Sequence, residues 1–139
     1  MAREATLVVQ KTIPVNFTVA DATGIEKGTL LKLADPATVS ASSATNDIVG
    51  GFAYNEKIAS DGVTKLAVLR GPGDWLKVTA SGAVSIGDPV GIAQPGNYLR
   101  SLKGVSNLSG GFIVGNALET AADEDTFLME LNITGVTYL

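Results

Sequence analysis

Polar and apolar positions alternate in short bursts, and two of these bursts recur. The first pass reads Gly24-Ile-Glu-Lys-Gly28-Thr-Leu-Leu-Lys-Leu-Ala-Asp-Pro36, and the second reads Ala83-Val-Ser-Ile-Gly87-Asp-Pro-Val-Gly-Ile-Ala-Gln-Pro95. Ile48-Val49-Gly50 follows the first pass and Ile113-Val114-Gly115 the second. An alternating run closes each, Thr64 to Arg70 and Thr126 to Asn132. Gly28 and Gly87 lie 59 residues apart, Ile48 and Ile113 65, and Thr64 and Thr126 62. Offsets this close predict a duplicated β unit whose loops differ in length.

Period-two alternation predicts strands over Thr29–Leu33, Val49–Ala53, Lys65–Arg70, Trp75–Ala80, Tyr98–Leu102, Phe112–Leu118 and Phe127–Ile133. A further strand follows the turn at Gly87, and a short one is expected near Val39. On the run from Trp75, Leu76, Val78 and Ala80 face the core while Trp75, Lys77 and Thr79 face outward. Gly71-Pro72-Gly73-Asp74 gives a hairpin-like signal between the two runs that flank it. Glu119–Asp125 is the only helix-friendly window and is too short to stand alone. Residues 103–111 read as a flexible stretch, and Val136–Leu139 as an extension of the last strand or a tail. Many short strands punctuated by 16 Gly and 5 Pro predict an all-β barrel or sandwich. No crossover helix is visible for a parallel βαβ sheet.

Ala5 to Ile13 is β-prone, with Leu7, Val9, Lys11 and Ile13 on one face and Thr6, Val8, Gln10 and Thr12 on the other. Pro14 interrupts it. Residues 1–13 therefore form either an arm that lies on another chain or the first strand of the domain's own sheet. Residues 14–139 form a single β domain, since 139 residues fit one domain and bury a real core.

Composition narrows the chemistry. The chain has no His and no Cys, which removes the commonest general base, the thiolate nucleophile and the usual transition-metal ligands. No disulfide, metal or cofactor is expected. Net charge is −4, and the ten Lys and Arg are scattered, unlike the basic stripe of a nucleic-acid binder. No apolar run reaches the roughly 20 residues of a membrane-spanning helix, and Met1 to Ala5 lacks a secretory core, so synthesis in the cytoplasm is expected. Mean hydropathy is positive while only 17% of residues are charged, a balance that leans toward surface hidden in an assembly.

The remaining constellations are weak. Gly71-Pro-Gly73 lacks the Lys and the helix of a phosphate loop. Asp123-Glu124-Asp125, with Glu119 nearby, lacks calcium-loop spacing and reads as a solvated loop. Nothing pairs two carboxylates for glycoside hydrolysis, so an enzyme is not expected. Trp75, with Lys77, is a candidate subunit contact, given the enrichment of Trp at interfaces. The alternative is internal packing between layers. The Ile-Val-Gly glycines read as core positions where a backbone approaches closely or a bulge forms.

These residues resemble the capsid decoration, or cement, proteins of tailed phages over most of the chain. The resemblance rests on the segment from Pro14, Gly28 to Leu33, Ile48-Val-Gly-Gly-Phe-Ala53 and Arg70-Gly-Pro72. It continues through Val78-Thr-Ala-Ser-Gly-Ala-Val-Ser-Ile-Gly-Asp-Pro-Val90, Val114 to Glu119 and Phe127 to Ile133. The Val78–Val90 block is the specific part. The resemblance implies a small β-barrel or β-sandwich, β-tulip or β-clip-like, on the outer capsid surface of a virion. It implies a homotrimer bound to the major capsid protein at three-fold or quasi-three-fold positions, with no catalytic residues. The N-terminal arm is then the expected capsid contact, adding a strand to a capsid edge through Thr6, Leu7, Val8, Val9, Gln10 and Ile13. A receptor- or carbohydrate-binding module is the alternative, with Trp75, Tyr54, Tyr98 and Tyr138 as its aromatics, and a hydrolase of unusual type is a third.

Overall fold

Alternation sends successive side chains to opposite faces, and the chain uses this to wrap itself into two small barrels. The computed structural model describes residues 3–94, 96–106, 108–133 and 135–138. The strands are β1 (Thr6–Val9), β2 (Val15–Thr18), β3 (Leu30–Ala34), β4 (Thr38–Ala41), β5 (Val49–Ala53), β6 (Lys65–Leu69) and β7 (Trp75–Ala80). They continue with β8 (Pro89–Ala93), β9 (Tyr98–Ser101), β10 (Leu108–Gly110), β11 (Ile113–Ala117), β12 (Thr126–Leu131) and β13 (Gly135–Tyr138). No helix appears among the described residues.

The first barrel closes in the order β2-β4-β3-β5-β6. A six-stranded sheet, β1-β7-β12-β11-β8-β9, closes the second because β7 also pairs with β9. In each ring one pair is parallel, Thr18 opposite Thr38 in the first and Thr79 opposite Tyr98 in the second. All other pairs in the two rings are antiparallel. The duplication read from the sequence is thus a duplication of topology. Isolated bridges mark equivalent points, Ile25 with Lys57 and Val84 with Ala121. Gly28 and Gly87 have φ of 87° and 88°, a left-handed turn residue before the second strand of each unit.

Strands β3, β5 and β6 bury side chains on both faces over part of their length, where one face lines the first barrel and the other meets the second. Leu31, Ala53 and Val68 belong to a cluster with Val19, Ile25, Val39 and Leu66 inside the first barrel. Their neighbours Leu30, Phe52 and Leu69 join Leu76, Val78, Phe127 and Met129 in a larger cluster that spans both barrels. Polar stitches cross the same junction. Leu30 N donates to Asn97 Oδ1 at 2.8 Å, Asn46 N to the Ile92 carbonyl at 3.0 Å, and Val49 N to the Gly111 carbonyl at 2.8 Å.

Glycine does its predicted work at the Ile-Val-Gly positions. The ladders bulge between Leu31 and Lys32 opposite β5, and between Ile113 and Gly115 opposite β8. A Cβ on Gly115 would overlap the Glu130 carbonyl oxygen.

Several local expectations need correction. The runs on either side of Gly71–Asp74 do not form a hairpin, because β2 and β5 occupy both edges of β6. The linker carries the chain between barrels and is fastened to β12, with Gly73 N donating to the Leu131 carbonyl at 2.9 Å and Leu131 N to the Asp74 carbonyl at 2.7 Å. Thr79 is buried, not outward, because β9 pairs at that point. Residues 103–111 contain β10, and the C-terminal residues pair with it as β13 instead of prolonging β12.

Candidate functional site

The N-terminal segment lies along the second barrel. Strand β1 pairs antiparallel with β7, Thr6 opposite Lys77, Leu7 opposite Leu76 and Val9 opposite Trp75. Of the two readings of this segment, residues 6–9 form a strand of the chain's own sheet. Alternation turns Leu7 toward the large cluster and leaves Val8 54% exposed. Leu7 and Ala5 cover a small apolar pocket floored by Phe52, Leu69 and Leu76.

Three fastenings hold the segment. Near its start, Arg3 donates to the Tyr98 hydroxyl and to Glu124 Oε2, the latter at 3.0 Å. Ala5 N donates to the Gly28 carbonyl at 2.8 Å. Near its end, the buried Asp74 carboxylate accepts three bonds: Lys11 N at 2.5 Å and Thr12 N at 3.0 Å on Oδ1, and Thr12 Oγ1 at 2.5 Å on Oδ2. Sequence reasoning read Asp74 only as a turn residue. Its partners lie more than 60 positions away, and no local pattern signals them.

The other predicted site residues separate into two groups. Gln10 is exposed, donating to the Thr12 carbonyl and accepting from the Tyr54 hydroxyl, each at 3.0 Å. Ile13 is 87% exposed just before Pro14. Trp75 is half-buried at the end of β7, its Nε1 donating to Glu130 Oε2 at 3.4 Å, with Lys11 Nζ 5.7 Å from the ring centroid. Lys77 pairs with Glu119 at 2.9 Å, and this bond, with Leu128 N, holds the Glu119 carboxyl below its ordinary range. The Asp123–Asp125 loop also serves structure: Asp123 Oδ1 accepts from Gly82 N, and Glu124 accepts from Tyr98 and Arg3. Among the described residues no group of three or more His, Cys, Asp or Glu could hold a metal ion. Of the aromatics, Tyr54 lines the small apolar pocket under Leu7, Tyr98 is buried, and the Tyr138 side chain lies outside the described residues.

A second surface was not foreseen. At the end of the first barrel a cleft of about 510 Å³ opens beside the Ile25–Lys57 bridge. Lys57 closes its base. Burial opposes its charge, yet bonds to Asp61 at 2.6 Å and Asp21 at 3.0 Å outweigh that and hold its pKa above the ordinary lysine value. Carbonyls of Ile58 and Asp21 complete the cage, at 2.6 and 3.0 Å. Asp61, bonded to Lys57, is held below the usual carboxylate range. Glu26 and Glu56, one from each bridged segment, line the cleft on the same side of the bridge, and Ile58 lies 62% exposed beside them.

No protein-family model matches the chain, and no curated relative does. Among solved structures, the chain is similar to the head fiber gp8.5 N base of bacteriophage phi29, with a TM-score of 0.54 at 15% identity. The match covers 89% of this chain and 98% of that one. What is shared at this identity is the fold.

Proposed function

We propose that this chain is a structural component of a phage head, a decoration protein that binds the outer surface of the expanded capsid. In this reading it assembles as trimers at three-fold or quasi-three-fold positions, contacts the major capsid protein and stabilises the shell without catalysing a reaction. The observation that carries the reading is the fold shared with nearly the whole of a phage head fiber base. The absence of His and Cys from the sequence supports it from an independent direction.

A ligand that binds only the expanded lattice stabilises that lattice by mass action. Each contact can be weak. A millimolar grip corresponds to about −4 kcal/mol, and three linked grips gain avidity of about 10² to 10⁴. The N-terminal segment supplies the capsid grip in this proposal. Thr6, Val8 and Gln10 face out from β1, while Leu7 and Val9 point the other way and Leu7 anchors it to the core. Because Asp74 and Gly28 hold the segment at both ends, it meets the capsid already ordered, and little entropy is lost there on binding.

The test mixes purified protein with expanded, undecorated heads and with unexpanded proheads, followed by sedimentation. Saturable binding to expanded heads, weakened by Val8→Asp, is expected. Equal binding of that variant would remove β1 from the contact.

A further inference from the structure

The duplicated fold supplies its own comparison. Beside the bridge in the second barrel stand Ser85 and Thr120, where the first has Glu26 and Glu56. That end is closed by its own bonds, Ile86 N to Thr120 Oγ1 and Ser85 N to Asp88 Oδ2, each at 3.0 Å. In the first barrel Lys57 is spent on Asp21 and Asp61. Among the described residues, neither Glu26 nor Glu56 has an ion pair or a side-chain hydrogen bond. Two like charges at one cleft disfavour each other, so this end presents an exposed acidic patch that a lysine from another molecule would complement. Beside the two acids, Ile58 is exposed and Ile25 forms apolar wall.

The complementary surface is on the same chain. Ile13 is 87% and Val15 56% exposed, and both flank Pro14. Two residues earlier, the Lys11 ammonium rests over the Trp75 ring and makes no ion pair among the described residues. The two surfaces do not meet within one molecule. Strand β2 begins at Val15 opposite Val68 and runs toward Asp21, whose carboxylate bonds Lys57 at the cleft. The four residues of β2 lie between them, a rise of about 13 Å.

We infer that the cleft of one copy receives the Lys11–Val15 segment of a second copy. Ile13 seats against Ile25 and Ile58, and the Lys11 ammonium lies between Glu26 and Glu56. Because donor and acceptor patches differ, the contact is heterologous and propagates head to tail until a ring closes. Trp75 then sits at the subunit boundary, holding Lys11 in place. From the reading above the inference takes only that several copies assemble.

Charge reversal tests it on the full chain by sedimentation velocity across about 1–100 µM. Wild type is expected to assemble. Lys11→Glu alone, and Glu26→Lys with Glu56→Lys, should each weaken assembly at least tenfold without lowering the thermal midpoint. An equimolar mixture of the two variants should assemble again into open chains or even-numbered rings, since lysine segments then meet acidic clefts and glutamate segments basic ones, whereas a three-membered ring would keep one mismatched contact. A wild type that stays monomeric, single variants that assemble like wild type, or a mixture that stays apart would each overturn the assignment. Wild type that assembles but ignores phage heads refutes the decoration reading and leaves this one standing.

Discussion

Asp74→Ala removes one buried carboxylate and unfastens the N-terminal segment. Three donors lose their acceptor: Lys11 N, Thr12 N and Thr12 Oγ1. A hydrogen bond to a charged group contributes about 1.5–3 kcal/mol net. Lys11 is exposed and Thr12 half-buried, so water replaces part of what is lost. The expected cost is about 3 kcal/mol, less than the sum of three such bonds. For a chain of this size that lowers the midpoint by roughly 6–12 °C. Asp74→Asn keeps an acceptor for both backbone N–H groups, and the Thr12 hydroxyl can turn to accept from the amide, so its cost is about 1 kcal/mol. Thermal unfolding followed by circular dichroism gives the first readout. Trypsin at 25 °C gives the second, because cleavage after Lys11 needs the segment to lift while cleavage after Lys103 does not. In the Ala variant the Lys11 cut should accelerate and the Lys103 cut should not. A midpoint within about 1 °C of wild type, with Lys11 still protected, would show that Asp74 is not the clasp.

Three further outcomes follow from other parts of the molecule. Gly115→Ala drives a Cβ into the Glu130 carbonyl and to 2.9 Å from Met129 Cε, costing about 3 kcal/mol; Gly82→Ala meets open space at φ +75° and costs about 1 kcal/mol. Urea unfolding should rank them in that order. Asp61, Asp88 and Glu119 are held below their ordinary values, by Lys57, by Ser85 N and by Lys77 respectively. The unfolded chain therefore takes up protons first as pH falls, and the thermal midpoint should drop below about pH 4 while staying level from pH 5 to 8, where no histidine titrates. Lys57→Met leaves Asp21 and Asp61 without their cation, so the midpoint should fall at neutral pH while the acid-induced drop shrinks, because Asp61 is no longer held below its unfolded value; an unchanged profile would deny the cage its role.

The repeat was legible because it is written in local chemistry. A turn glycine, an apolar run and an Ile-Val-Gly strand recur at nearly constant offsets, and each fixes a backbone feature wherever it stands. Strands with alternation, Trp75–Ala80 and Thr126–Leu131, fall where that pattern puts them. The hairpin at Gly71–Asp74 failed because turn residues specify a change of direction and do not specify which strand edge is vacant. Strand β10 was missed because Leu108–Gly110 is glycine-rich and gains its partner only from the chain's end. The grip of Asp74 on Lys11 and Thr12, and the approach of Glu26 to Glu56, depend on residues 30 or more positions apart. Alternation carries no information about such meetings. The outward face of β1 was readable, yet its attachment to β7 was one of two readings that alternation fits equally.

The most direct measurement of the central claim is co-sedimentation of the purified chain with expanded, undecorated tailed-phage heads. The account predicts saturation at a fixed number of copies per shell, little binding to unexpanded proheads, and decorated heads that survive heating or chelation better than bare ones. Failure to sediment with expanded heads at concentrations well above the micromolar range, or equal binding to both lattices, would contradict it.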